Sequence, residues 1–266
     1  MSAVSLCYEF CARTHAGKVR TNNEDAVSVD ALAQLALLAD GMGGYNAGEV
    51  ASGMAISFIH SEMARWLAQA GTRLKSFDLR RAMEICVDNA NQAILGASEA
   101  NPQYAGMGTT LVLGVFQGPR LMLGHIGDSR CYRLRSGELE QLTRDHSWLQ
   151  EQIDAGLLTR QQAAVSTSRN LVTRALGVEE VALLEINEFE VQPGDLYLLC
   201  SDGLSEMVHH ADLTELLAAR SALDEKAARL IDAANANGGR DNISVVLARA
   251  SAGPRKQGLM SRLLRA

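Results

Sequence analysis

No run of apolar residues in this sequence reaches the ~18 needed to cross a bilayer. The first ten residues, MSAVSLCYEF, lack the basic stretch followed by an apolar one that opens a secretory leader. Neither membrane insertion nor export is therefore expected. Basic charge is also scarce: 25 Lys and Arg stand against 31 Asp and Glu, a net charge of −6. That balance argues against a chain that lives on nucleic acid or on an anionic membrane. The five cysteines, Cys7, Cys11, Cys86, Cys131 and Cys200, are odd in number and form no CxxC pair. A thiolate zinc site is not expected from them, and reduced thiols in a cytoplasmic protein are. Prolines number four, and no repeat or low-complexity tract is present.

What is present is an ordinary globular composition, 47% apolar over 266 residues, enough for one large domain or two small ones. Short apolar runs predict strands over Leu35–Ala39, Thr110–Phe116, Leu121–Ile126, Cys131–Arg135, Leu196–Cys200 and Ile243–Ala248. Residues 110–135 read as a three-stranded meander with turns at Gln117–Arg120 and Gly127–Arg130. Ala51, Met54, Ala55, Phe58, Ile59, Met63, Trp66 and Leu67 recur at helical spacing, as do Leu79, Met83, Cys86, Ala90 and Ile94 behind an N-cap expected at Asp78. A third helix is expected over about Asp224 to Ala236, stopped by Gly238 and Gly239. Helices do not alternate with strands, which predicts an α+β fold with antiparallel sheets and helices packed outside them. Asp145 to Arg174 is polar and weakly patterned, the composition of a mobile flap. We divide the chain into a domain over residues 1–250 and a short basic tail over residues 251–266, which holds Arg255, Lys256, Arg262 and Arg265.

The acids are placed informatively. LALLADGMGG, LMLGHIGDSR and LYLLCSDGL each put an aspartate (Asp40, Asp128, Asp202) at the end of an apolar strand, and GGRDNISVVLA puts Asp241 at the start of one. In an antiparallel sheet a strand end and a strand start share an edge, so all four can meet at one rim. Clustered carboxylates repel one another unless protonated or bridged by cations, and oxygen-only donors suit hard ions such as Mg²⁺, Mn²⁺ or Ca²⁺. A lone Asp-Gly at a strand end is ordinarily just a turn. Four such elements in this arrangement are harder to explain that way. DGMGG lacks the Gly-Lys-Ser/Thr of a P-loop, and no acid-rich twelve-residue loop of the EF-hand kind occurs.

Taken in order, VRTNNEDA, ADGMGG, GEVAS, GTT, GDSR, DHS, RALG, SDGL and GGRDNISVV resemble the metal-dependent PPM (type 2C) protein phosphatases, in their bacterial branch, from Arg20 to Asn242. The resemblance implies a central sandwich of two antiparallel β-sheets flanked by α-helices on both faces, with a binuclear Mn²⁺ or Mg²⁺ centre between the sheets. Asp40 matches the ligand that bridges both ions, and the Gly41 carbonyl completes the first ion's protein contacts. Asp202 and Asp241 match ligands of the second ion. Glu24 matches an acid that touches the cluster, often through water, and Asp128 with Asp202 matches the ligands of a third, weaker ion. Arg20 matches the arginine that grips the substrate phosphate. Thr109, Thr110 and Arg174 are expected as supports of the core and site walls, and Asn242 as a brace for the loop of Asp241. Glu49 reads as a first-turn acid facing the helix dipole. Met42 stands where eukaryotic relatives carry a histidine proposed as general acid, and methionine has no proton to give. His146 is a conceivable replacement, but a structural role fits it better.

The implied activity is hydrolysis of phosphoserine and phosphothreonine in proteins by a metal-activated water, opposing a Ser/Thr kinase and acting on that kinase or its targets. The expected protein is a cytoplasmic monomer. A metal-dependent phosphoesterase for small molecules and a silent phosphoprotein-binding scaffold are the rival readings. Retention of Asp40, Asp128, Asp202, Asp241 and Arg20 counts against the scaffold.

Overall fold

The computed structural model describes residues 5–44, 47–71, 74–159, 161–162 and 171–253. Two antiparallel sheets dominate it. In one, the order is β1 (Leu6–His15), β11 (Ile243–Ala252), β10 (Leu196–Cys200), β7 (Arg130–Arg135) and β8 (Glu138–Gln141). In the other it is β2 (Asp25–Asp30), β3 (Leu35–Met42), β5 (Leu111–Gln117), β6 (Arg120–Ile126) and β9 (Glu185–Glu190), with the two-residue β4 (Gly108–Thr109) paired to the end of β3.

Side-chain alternation sorts the apolar residues into three packed layers. On β3, Leu35, Leu37 and Ala39 face the helices α1 (Ala47–Ala70) and α2 (Ser76–Ala100), while Ala36 and Leu38 face the other sheet. On β11, Val245 and Leu247 face the helices α5 (His210–Ala218) and α6 (Leu223–Ala236), while Val246 and Ala248 face inward. Between the sheets, Phe116 packs against Tyr197 at 5.4 Å and Phe10 at 5.6 Å between ring centroids. The expected sandwich with helices on both faces is the observed architecture. The sequence patterns also place α1, α2 and α6, although α2 opens at Ser76 behind Lys75, so Asp78 lies in its first turn rather than at its N-cap.

The same alternation, followed to one end of the sandwich, runs out of apolar residues and into polar ones. Asp40 continues the inward face of Ala36 and Leu38, Asp25 that of Val27 and Val29, Ser201 that of Tyr197 and Leu199, and Ser244 that of Val246. Thr110, Ser129, Ser201 and Ser244 are all essentially buried. They bond to one another: Thr110 Oγ1 meets Ser129 Oγ at 2.8 Å, the Ser244 amide donates to Ser201 Oγ at 2.9 Å, and Ser244 Oγ donates to Thr14 Oγ1 at 2.7 Å.

The expected meander is only half right. β5 and β6 form the hairpin, but β7 leaves the sheet and pairs with β10 in the other one. The turn signal at Gly127–Arg130 is real; a nonlocal partner decides where the chain goes after it. Gly127 makes the crossing at φ +101°, and a Cβ there would lie 2.6 Å from Thr110 Cγ2. The crossing therefore sets Asp128 at the rim of the gap between the sheets. The weakly patterned stretch after Asp145 holds the short α3 (Trp148–Asp154), capped by Ser147 Oγ accepting from the Gln150 amide at 3.3 Å. Residue 160, residues 163–170 and the tail beyond residue 253 lie outside the described residues, and β11 runs two residues past residue 250. Among the described residues no helix is long and apolar enough to cross a membrane.

Gly127→Ala combines a left-handed φ with a steric clash, and we expect it to cost about 1–3 kcal/mol of stability in urea unfolding. A wild-type midpoint would mean the crossing tolerates a side chain.

Candidate metal centre

Each expected acid sits where rigid structure stops. Asp40 lies near the end of β3, Asp128 in the crossing between the sheets, Asp202 at the first residue of the short α4 (Asp202–Ser205) that follows β10, and Asp241 two residues before β11. They converge. Burial, then the charges of Asp25, Asp202, Asp128 and Asp241, push the Asp40 carboxyl well above its ordinary pKa. Burial and the charges of Asp128 and Asp241 do the same to Asp202. Burial and then Asp145 raise Asp128 to about 6. Burial likewise raises Glu24; Arg20 opposes the shift, and Asp241 and Glu49 add to it. Arg20 stands at the rim, its Nη2 2.8 Å from Asp241 Oδ2.

Backbone clamps hold these groups. The Asp40 amide donates to Thr110 Oγ1 at 3.0 Å, and its carbonyl accepts from the Thr110 amide and from Thr109 Oγ1, both at 2.9 Å. That is how the GTT segment acts as a wall. The Gly41 amide donates to the Glu24 carbonyl at 3.1 Å, and a Cβ on Gly41 would fall 2.1 Å from the Gly48 carbonyl oxygen, so α1 seats directly on the end of β3. Glu49, exposed in the first turn of α1, has its carboxylate near that helix's positive end.

Asp128 is steadied from the DHS segment. Arg130 holds Asp145 with Nε at 3.0 Å and Nη2 at 2.7 Å. His146 brackets Gly127: its amide donates to the Gly127 carbonyl at 2.9 Å, and its Nδ1 accepts from the Gly127 amide at 3.2 Å. An N–H aimed at Nδ1 puts the imidazole proton on Nε2, which faces Glu185 at 3.3 Å. His125, His146 and Glu185 thus gather as three metal-type side chains, but His146 has no lone pair left for an ion. Burial and the neighbouring His125 lower its pKa, which keeps it neutral. Its place is structural.

Arg174, expected as a support of the core and site walls, is exposed and makes no hydrogen bond or ion pair with another described residue, while its charge acts on His146. Asn242 braces the loop of Asp241 as expected: its backbone amide donates to Asp241 Oδ1 at 2.9 Å, and its side chain ties that loop to the 16–24 loop. One acid was missed. Asp25, register partner of Asp40 across β2 and β3, is 8% exposed. Its Oδ2 accepts from Ser201 Oγ at 2.8 Å, while its Oδ1 is buried with no partner. The alternation with Val27 and Val29 would have revealed it.

A buried carboxylate oxygen without a donor costs about 1–3 kcal/mol or more, and four further acids crowd beside it. Cations relieve both penalties. Every donor in the set is oxygen, so hard divalent ions fit.

The protein phosphatase 2C family model matches residues 13–247. The chain belongs to that family. Serine/threonine protein phosphatase PstP of Mycobacterium tuberculosis is 43% identical over 248 residues, which is 93% of this chain and 46% of PstP. The chain thus spans about half the length of that relative. Serine/threonine phosphatase stp of Listeria innocua is 36% identical over 240 residues, covering 88% of this chain and 93% of stp. The crystal structure of the PstP catalytic domain in complex with two manganese ions superposes with a TM-score of 0.82 at 40% identity, over 93% of this chain and all of that one.

The pKa shifts give this protein phosphatase 2C domain a testable pH signature. Asp25 and Asp128 are raised to about 6 and Asp40 and Asp202 well above 3.8, so the folded state binds protons more tightly than the unfolded chain. Stability from that source is full below the unfolded pKa and falls as pH rises through the folded values. The lowered His146 works the other way. So do the lowered carboxyls of Asp30, Glu185 and Asp195, whose contribution is already nearly complete above about pH 5. Glu24 adds to the raised acids. Chelator-treated protein should therefore melt lower at about pH 7.5 than at about pH 5, with a flatter slope in Asp40→Asn. Mn²⁺ at about one hundred times its Kd should restore about 2.7 kcal/mol at the higher pH. A steeper slope in Asp40→Asn than in the wild type would contradict a repelling cluster.

Proposed function

We propose that this chain is a metal-dependent phosphatase that removes phosphate from phosphoserine and phosphothreonine in proteins. The observation that carries the reading is the convergence of Asp40, Asp128, Asp202 and Asp241 at one end of the inter-sheet gap, with Arg20 beside them. Asp40 and the Gly41 carbonyl would hold a first ion. Asp40, Asp202 and Asp241 would hold a second, with Glu24 against the pair, and Asp128 and Asp202 a third, weaker one. Bound there, Mn²⁺ or Mg²⁺ ions would lower the pKa of a water from 15.7 toward about 7 and so would supply hydroxide at neutral pH.

The protein's own groups do the rest. Arg20 offers a planar fork to two phosphate oxygens, which a lysine could not match in direction. Its charge and those of the ions offset the repulsion between an acidic protein and a dianionic substrate. Met42 supplies no proton, and His146 is turned toward Gly127 and Glu185. The seryl or threonyl oxygen therefore takes its proton from neither side chain, and water or another group of the site would supply it.

An open groove of about 800 Å³ leads away from Asp128 and Asp202, walled by residues that include Gln150, Glu206 and His209. A groove of that volume has room for more than a small phosphomonoester, which favours a protein substrate. The natural source of such substrates is a Ser/Thr kinase in the same cytoplasm, whose targets, or the kinase itself, this enzyme would reset. We assign the phosphatase domain to residues 1–250 and the basic tail to residues 251–266, with β11 reaching two residues into the tail.

Phosphate release from a phosphothreonine peptide should need Mn²⁺ or Mg²⁺ and stop with chelator. Asp40→Asn and Asp202→Asn should each lose more than the ~10–100-fold typical of an outer-shell partner, with the fold intact by circular dichroism. Arg20→Ala should raise KM by roughly 10–100-fold, the worth of a charge-assisted hydrogen bond. Full turnover in either aspartate variant would remove the metal assignment. A marked preference for p-nitrophenyl phosphate over the peptide would favour a small-molecule esterase.

A further inference from the structure

Asn242 is buried, 5% exposed, at the meeting point of three loops. Its Nδ2 donates to the Ala16 carbonyl at 3.1 Å and to the Asn22 carbonyl at 2.8 Å, and its Oδ1 accepts from the Glu24 amide at 2.7 Å. The three anchor points bracket Arg20 on both sides. The same residue's backbone touches the acids: its amide donates to Asp241 Oδ1 at 2.9 Å, and its carbonyl oxygen would lie 2.0 Å from a Cβ on Gly203, the residue after Asp202.

We propose that Asn242 is a positioning residue for Arg20, fixing the phosphate-binding arginine in register with Asp202 and Asp241. The inference rests on the phosphatase reading above and adds to it the residue that sets phosphate affinity from behind the site. Arg20 needs such a brace. Its side chain is 52% exposed, and it lies on a loop between β1 and β2 with no regular structure of its own. Other backbone ties of the loop include the Lys18 and Val19 amides on the Gly239 carbonyl, at 2.7 and 3.2 Å, and the Gly17 amide on His15 Nδ1 at 2.9 Å. An arginine free to sample rotamers binds an anion with an ordering cost that a held one avoids.

Glu24, at the far end of the loop, does not depend on Asn242 alone. Its carbonyl also accepts from Ser52 Oγ at 2.6 Å and from the Gly41 amide at 3.1 Å, and β2 begins at the next residue. Asp40, Asp202 and Asp241 are carried by strands or by residues next to them. Losing the Asn242 amide should therefore loosen Arg20 while the acids stay in place, and the defect should appear in affinity for phosphate rather than in turnover at saturation.

The test is a double-mutant cycle on the Mn²⁺-loaded protein, read by KM for a phosphothreonine peptide, by kcat, and by the Kd of inorganic phosphate from calorimetry. Asn242→Ala should weaken both affinities about tenfold with kcat within about threefold, the size expected for a buried hydrogen-bond hub. In an Arg20→Ala background the same change should add less than about twofold, because the two residues act as one unit. Asn242→Asp keeps the bond to the Glu24 amide but turns acceptors toward the Ala16 and Asn22 carbonyls. It should show the same pattern, and it takes over the cycle if the alanine variant does not fold. Equal losses in both backgrounds, or a fall in kcat with phosphate affinity unchanged, would overturn the proposal. Wild-type protein that releases no phosphate under any metal would instead remove the phosphatase reading, and this inference with it.

Discussion

Repulsion among carboxylates at the open end of the inter-sheet gap is the constraint to which the rest of the structure answers. Asp25, Asp40, Asp128, Asp202 and Asp241 lie close together, and the burial of Asp25 and the partial burial of the others thin the water that would otherwise screen them. Left alone, such a group would spread apart or take up protons. The fold prevents spreading by mounting the acids on strands from both sheets, whose own packing is apolar and independent of the site. Neutralisation is then left to ions and to Arg20 at the rim, with Arg130 acting on Asp128.

Around that group lies a layer of small hydroxyls and clamped backbone that has no apolar role. Thr109 and Thr110 hold the Asp40 backbone, Ser201 bonds Asp25, and Ser244 joins Ser201 to Thr14. Each neutral bond is worth only about 1 kcal/mol, little beside the electrostatic cost of the acids. Their value is directional. They keep carboxylates that would move apart aimed at one space, and they do so with side chains too short to swing. The Arg130–Asp145 pair and the His146 bracket around Gly127 perform the same service for Asp128 across the sheet boundary.

Much of this could be read along the chain, for a definite reason. A strand flanked by Asp-Gly carries both its periodicity and its terminus in consecutive letters, so Leu196–Cys200 and the aspartate that follows it are visible together. What escaped was whatever depends on distant partners. β8 and β9, ELEQ and EINEFE, are too polar to register as strands, and sheet pairing alone makes them so. The crossing at Gly127 has the letters of a hairpin, yet β7 prefers β10 to β6. Asp25 hid behind the more conspicuous Glu24. Asn242 was seen as a local brace, because nothing in a linear reading shows a side chain reaching back to Ala16.

That reach has a temporal side. β1 lies against β11 along its whole length, Leu6 opposite Ala252 and His15 opposite Ile243, and the loop carrying Arg20 and Glu24 is fastened to Asn242. β1 therefore finds its strand partner only when β11, far along the sequence, is in place. Until β11 is in place, the acidic gap lacks both the seating of Asp241 and the Asn242 anchor for the loop of Arg20 and Glu24. Contacts of such long sequence separation slow folding, and they tie completion of the acidic site to completion of the sheet that carries β1 and β11.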